Sequence, residues 1–112
     1  ELLHFNAQGV ASSSLSNSGG TVIQCEPLDT LLKDEFPTFI KMDIEGAEID
    51  ALNGATESIS RHLPKLAISA YHRQEHIWEI PLLVHSLSSA YRFHLRRYLI
   101  KKAISLFYNQ II

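Results

Sequence analysis

The sequence predicts an α/β domain, a mainly parallel sheet closed by an antiparallel hairpin. Three observations carry this. The run Phe39-Ile40-Lys41-Met42-Asp43-Ile44-Glu45-Gly46 stays largely apolar until it ends in two carboxylates and a glycine, and a helix-like pattern follows at once. Strand, helical segment and strand then succeed one another within about thirty residues, the length of a βαβ unit, whose crossover is almost always right-handed. Near the carboxyl end, two alternating runs are separated by too few residues for a helical crossover, so they pair antiparallel.

Composition limits what such a sheet could belong to. The 112 residues, 46% hydrophobic and 20% charged, suit one domain with a small core. A net charge of −2 and a pI near 6.3 give no basic excess, which argues against a general nucleic-acid or anionic-membrane binder. The single Cys25 cannot close an internal disulfide, and a reducing cytoplasmic setting is expected. No apolar run approaches the roughly 20 residues of a membrane span, and no signal-like core opens the chain. Glu1 is not an initiator methionine, as in a piece cut from a longer protein.

In order along the chain, Leu2 to Ala7 reads as a short strand with Leu3 and Phe5 on one face. Ser12 to Gly20 reads as a loop of small polar residues, a surface connection rather than a lid. Thr21 to Cys25 is a second strand, β-branched and closed by Pro27. Asp29 is placed to cap a short helix through Leu31 and Leu32 that ends before Pro37. Residues 1–37 thus form lead-in strands and a serine-rich loop, and 38–112 form the core βαβ unit and closing hairpin.

Phe39 to Ile44 reads as a central strand covered on both faces, with Lys41 in need of a carboxylate partner. Ala47 to Asn53 is the next helix, with Ile49 and Leu52 on its buried stripe, broken by Gly54. Ala55, Ile59 and Leu63 continue a second stripe until Pro64. Leu66 to Ala70 is the following strand, and it ends in Tyr71 and His72. Adjacent parallel strands point the same way, so His72 should share a rim with Asp43 and Glu45, the edge where open α/β sheets keep ligands. Ile77 to Leu87 is helix-like, with Ile80, Val84 and Leu87 recurring and Pro81 tolerated in a first turn. Tyr91, Phe93 and Leu95, then Ile104, Leu106 and Tyr108, are the alternating strands of the hairpin.

The strings FIKMDIEGAEIDALNGA, PKLAISAYH and IPLLVHSLSSAYRFHLRRY closely resemble the carboxyl-terminal part of the FkbM family of S-adenosylmethionine-dependent methyltransferases, from about Phe5 to Tyr108. The resemblance implies a Rossmann-like class I methyltransferase sheet with its amino-terminal strands missing, S-adenosylmethionine as cofactor, and methyl transfer, commonly to oxygen. Family members carry a glycine-rich turn after their first strand and an acidic residue ending the second. Neither is present; Gly19-Gly20 lies in the serine loop and opens no helix. No cofactor-binding residue is therefore assigned in this chain. The alternative function is a non-catalytic remnant or interaction module that keeps the sheet without the cofactor pocket.

Alignment of donor and acceptor is most of what a protein contributes to methyl transfer, with a base adding about 10²–10⁴-fold. His72 is the candidate base. Asp43 and Glu45 are the catalytic carboxylates that orient it, accept from the hydroxyl or favour the sulfonium. The bland alternatives are a helix-capping loop for the two carboxylates and a structural histidine at a strand end. Tyr71 and Glu48 are placed at the substrate, Tyr71 otherwise as pocket wall or core and Glu48 otherwise as a first-turn helix residue. A metal held by Asp43, Glu45 and His72 is set aside because oxygen-rich sites usually show more carboxylates. His76, His85 and His94 share no metal-binding spacing. Trp78 reads as packing. Arg92, Arg96, Arg97, Lys101 and Lys102 read as a solvated, charge-protected edge. The acceptor is expected to be a small molecule or saccharide, and a truncated sheet edge would favour self-association.

Overall fold

The computed structural model describes residues 2–6, 14–16, 20–98 and 103–110. Strands β1 (Leu2–Asn6), β2 (Ser14–Ser16) and β3 (Thr21–Gln24) form an antiparallel sheet in the order β2-β1-β3. The strand β2 falls inside the serine run that local composition assigns to a loop. Its backbone pairs with β1, placing Leu15 opposite Phe5. Ladder hydrogen bonds from a neighbouring strand thus override weak intrinsic propensity.

Helix α1 (Leu28–Leu32) follows, and Pro27 rather than Asp29 holds its capping position. Asp29 instead accepts the backbone N–H groups of Glu57 and Ser58, both at 2.8 Å. These are orphan donors in the first turn of α3 (Thr56–His62), whose own cap, Ala55, has no side-chain oxygen. The carboxylate expected to start one helix therefore caps another, 28 residues on. Burial pushes Asp29 up, but hydrogen bonds from the Ser58 side chain and from the Ser58 and Glu57 backbone hold its carboxyl below its ordinary value.

Strand β4 (Phe39–Met42), helix α2 (Glu48–Asn53), α3 and strand β5 (Lys65–Ser69) make the expected crossover, and β4 and β5 pair parallel with Met42 opposite Ile68. Helix α4 (His76–Leu87) leads into the hairpin of β6 (Tyr91–Tyr98) and β7 (Ala103–Gln110). The second sheet has the order β4-β5-β7-β6, so β7 returns between β5 and β6 and pairs antiparallel with both. The expected central strand is thus an edge of the described sheet. Phe39 is 57% exposed and Lys41 is also exposed, so its ammonium stays hydrated and needs no carboxylate partner.

The core lies between this sheet and the helices: Met42, Leu52, Ala55, Ile59, Leu66, Ile68, Ile80, Val84 and Tyr91 form one buried cluster. Tyr91 keeps its hydroxyl satisfied by donating to the Pro64 carbonyl at 2.9 Å. Pro81 sits inside α4, beyond the first turn in which the sequence placed it. Trp78, expected to pack, is 52% exposed. His76, Ile80 and Val84 set the buried stripe of α4, and position 78 lies on the opposite side of a 3.6-residue turn. Arg92 and Arg96 are exposed, in keeping with a solvated edge, and Lys101 and Lys102 lie outside the described residues.

Candidate functional site

The parallel register of β4 and β5 brings the two strand ends to one rim. Asp43 follows β4 directly, and Ala70, Tyr71 and His72 follow β5. The turn after Asp43 reverses through two left-handed residues, Glu45 at φ 56° and Gly46 at φ 100°. Gly46 suits that conformation, and a Cβ there would lie 3.3 Å from Arg73 Nε. Glu45 is a non-glycine residue in the same region, a conformation that persists only where its surroundings impose it and that clusters at functional sites.

His72 is the centre of the rim. Its side chain is 7% exposed, and Nε2 lies 3.4 Å from Asp43 Oδ1 and 3.4 Å from Glu45 Oε1. Nδ1 lies 2.9 Å from Glu48 Oε1, within contact distance but without hydrogen-bond alignment, so the approach is a charge contact. The same Glu48 oxygen accepts the Ile44 N–H at 3.1 Å. The tyrosine joins from the solvent side. Tyr71 donates its hydroxyl to Asp43 Oδ1 at 2.9 Å, and its ring centroid is 4.1 Å from that of His72. Burial, then the hydrogen bond to Asp43, then the Asp43, Glu45 and Glu48 charges push the Tyr71 hydroxyl up to about 12, so it remains a donor at neutral pH.

All five residues singled out on the rim therefore meet, but in two layers. Asp43, Glu45 and Tyr71 reach solvent. Glu48, expected at the substrate, is fully buried. As a first-turn residue of α2 it points inward beneath the histidine, and a group shut off from solvent by its neighbours cannot touch an acceptor. Its place is to hold His72, and also His76, whose Nδ1 is 3.3 Å from Glu48 Oε2.

The sequence matches the methyltransferase FkbM domain over residues 2–103. The chain belongs to the FkbM methyltransferase family. The FkbM segment is also similar to a solved protein described as methyltransferase FkbM from Methylobacillus flagellatus KT, with 42% identity and a TM-score of 0.74. That likeness covers 79% of this chain and 24% of the solved one, so the chain spans about a quarter of that protein's length. No curated protein matches the chain significantly.

One member of the FkbM rim escaped sequence reasoning. His76 is 2% exposed and opens α4, whereas the stretch around it reads as a turn. The signal was its place four residues before Ile80, which extends the apolar stripe of α4 back to the histidine. Away from the rim, a cavity of about 550 Å³ lies between the two sheets and α2, lined by Leu3, Cys25, Leu28, Ile40, Ile44 and Ala51 among others. No helix among the described residues is long and apolar enough to cross a membrane.

Proposed function

We propose that the protein to which this FkbM segment belongs transfers a methyl group from S-adenosylmethionine to a hydroxyl oxygen of a small molecule or saccharide, with the Asp43, Glu45 and His72 rim on the acceptor side. One observation carries the reading: a nearly buried imidazole whose Nε2 faces two solvent-reaching carboxylates at 3.4 Å each, at the carboxyl edge of a parallel strand pair. Bound S-adenosylmethionine would supply the electrophilic methyl group, which the acceptor oxygen would bond as the carbon–sulfur bond breaks and leaves a neutral thioether. The hydroxyl proton passes to His72 Nε2. The imidazolium so formed is stabilised by Asp43 and Glu45 on one side and by Glu48 behind Nδ1, where the buried setting strengthens the attraction. The glycine-rich turn that would hold the donor is absent from these residues, so the remainder of the protein supplies it. The edge of β4, unpaired among the described residues, and the apolar cavity beside it support that remainder docking there. In the isolated segment, the same edge favours self-association.

The competing reading is a non-catalytic module that keeps the sheet without a cofactor pocket. The two separate in one experiment on the full protein: calorimetric titration of S-adenosylmethionine, and release of S-adenosylhomocysteine with a panel of hydroxylated acceptors. The expected result is cofactor binding by wild type and His72→Gln alike, with the variant slowed by about 10²–10⁴-fold. No cofactor binding, or full activity in the variant, would overturn the proposal.

A further inference from the structure

The rim has the composition and spacing of a cation site. His72 Nε2, Asp43 Oδ1 and Glu45 Oε1 belong to a group whose candidate ligand atoms all lie within 4.8 Å of one another. Donor atoms 3.4 Å apart, as Nε2 is from each carboxylate oxygen, subtend a near-tetrahedral angle at a cation about 2.1 Å from both. An acidic cluster alone would not suffice, but His72 adds an independent observation. Its side chain is more than nine-tenths buried, and Nε2 finds no hydrogen-bond partner among the described residues although it is aimed between two carboxylates. With Nδ1 turned toward Glu48, the lone pair of neutral His72 points at two oxygens that are also acceptors. Three acceptors facing one another repel unless a proton or a cation lies between them, and the open, solvent-reaching side of the pair admits a cation.

We infer that Asp43, Glu45 and His72 bind a divalent transition-metal cation. The supporting contacts fit that role. Glu48 Oε1 lies 2.9 Å from Nδ1, on the far side of the ring from the two carboxylates, and favours the imidazole's placement by charge contact, while Tyr71 fixes Asp43 by donating to Oδ1. The side chains of Asp43 and Glu45 are 43% and 31% exposed, which leaves a route in and open coordination positions. One nitrogen and two carboxylates are a mixed set that suits Mn²⁺ or Zn²⁺ better than Ca²⁺, which takes six to eight oxygens. The site stands on this geometry whether or not methyl transfer is the reaction. A cation held there would occupy the Nε2 lone pair, so His72 takes the hydroxyl proton only in the metal-free protein; in the loaded protein the cation would supply the acidification of a bound hydroxyl.

The test is calorimetric titration of Mn²⁺ into the chelator-treated full protein without cofactor, so that its outcome is independent of catalysis. One Mn²⁺ per chain is expected. His72→Gln and Asp43→Asn should each weaken binding at least about tenfold, and His85→Ala, an exposed histidine elsewhere, should bind as wild type. Because Asp43 is solvent-exposed, its substitution keeps the fold and gives a reading even if His72→Gln does not. No Mn²⁺ binding, wild-type affinity in Asp43→Asn, or Ca²⁺ bound as tightly as Mn²⁺ would overturn the inference.

Discussion

Replacing Glu48 tests whether the rim rests on a buried carboxylate. Its side chain is fully buried; it accepts the Ile44 N–H at 3.1 Å and lies 2.9 Å from His72 Nδ1 and 3.3 Å from His76 Nδ1. Truncation in Glu48→Ala removes the acceptor of a part-buried N–H, which costs about 1–3 kcal/mol. It also strips the shared carboxylate from two nearly buried imidazoles, and breaking such a buried set costs about 3–5 kcal/mol in all. Glu48→Gln preserves volume, and its amide oxygen can still accept from Ile44, so the loss should fall to about 1–2 kcal/mol. Urea denaturation of both variants, compared at equal slope, reads the difference directly. If alanine costs less than about 1 kcal/mol, or if glutamine costs as much as alanine, Glu48 is not the support that the distances indicate.

Two further substitutions follow from the same reasoning. Glu45 at φ 56° carries the left-handed penalty of an L-residue, so Glu45→Gly should be more stable than Glu45→Ala by about 1 kcal/mol. Equal stability of the two variants would show that the turn is unstrained. Asp29→Ala should cost about 0.5–2 kcal/mol at neutral pH through the lost cap on α3. Since the folded state lowers the Asp29 pKa, this contribution is present above the unfolded value near 3.9 and disappears as pH falls through the lower folded value. Thermal melts of both proteins at neutral and strongly acidic pH should therefore converge in acid, and a constant gap would contradict the capping role.

Much of the rim was readable before any coordinates. An apolar run ending in Asp43, Ile44 and Glu45, and a second ending in Tyr71 and His72, become neighbours as soon as a right-handed crossover makes their strands parallel. The antiparallel hairpin was readable for a similar reason, since Tyr91 to Tyr98 and Ala103 to Gln110 lie too close in sequence for anything else. Less readable was everything that depended on a partner distant in the chain. The Ser14–Ser16 strand exists through β1, Asp29 caps a helix whose residues lie 28 positions away, and Lys41 is exposed because it shares with Phe39 the face of β4 that no described element buries.

The sequence by itself determined periodicity, element order and which chemical groups stand at strand ends, because each of these is set by neighbours along the chain. Only the tertiary structure decided depth. It sent Glu48 inward beneath His72, drew His76 to the same carboxylate and left Trp78 outside. Burial and the pairing of charges arise where separate segments meet, and no local pattern records which segment will arrive.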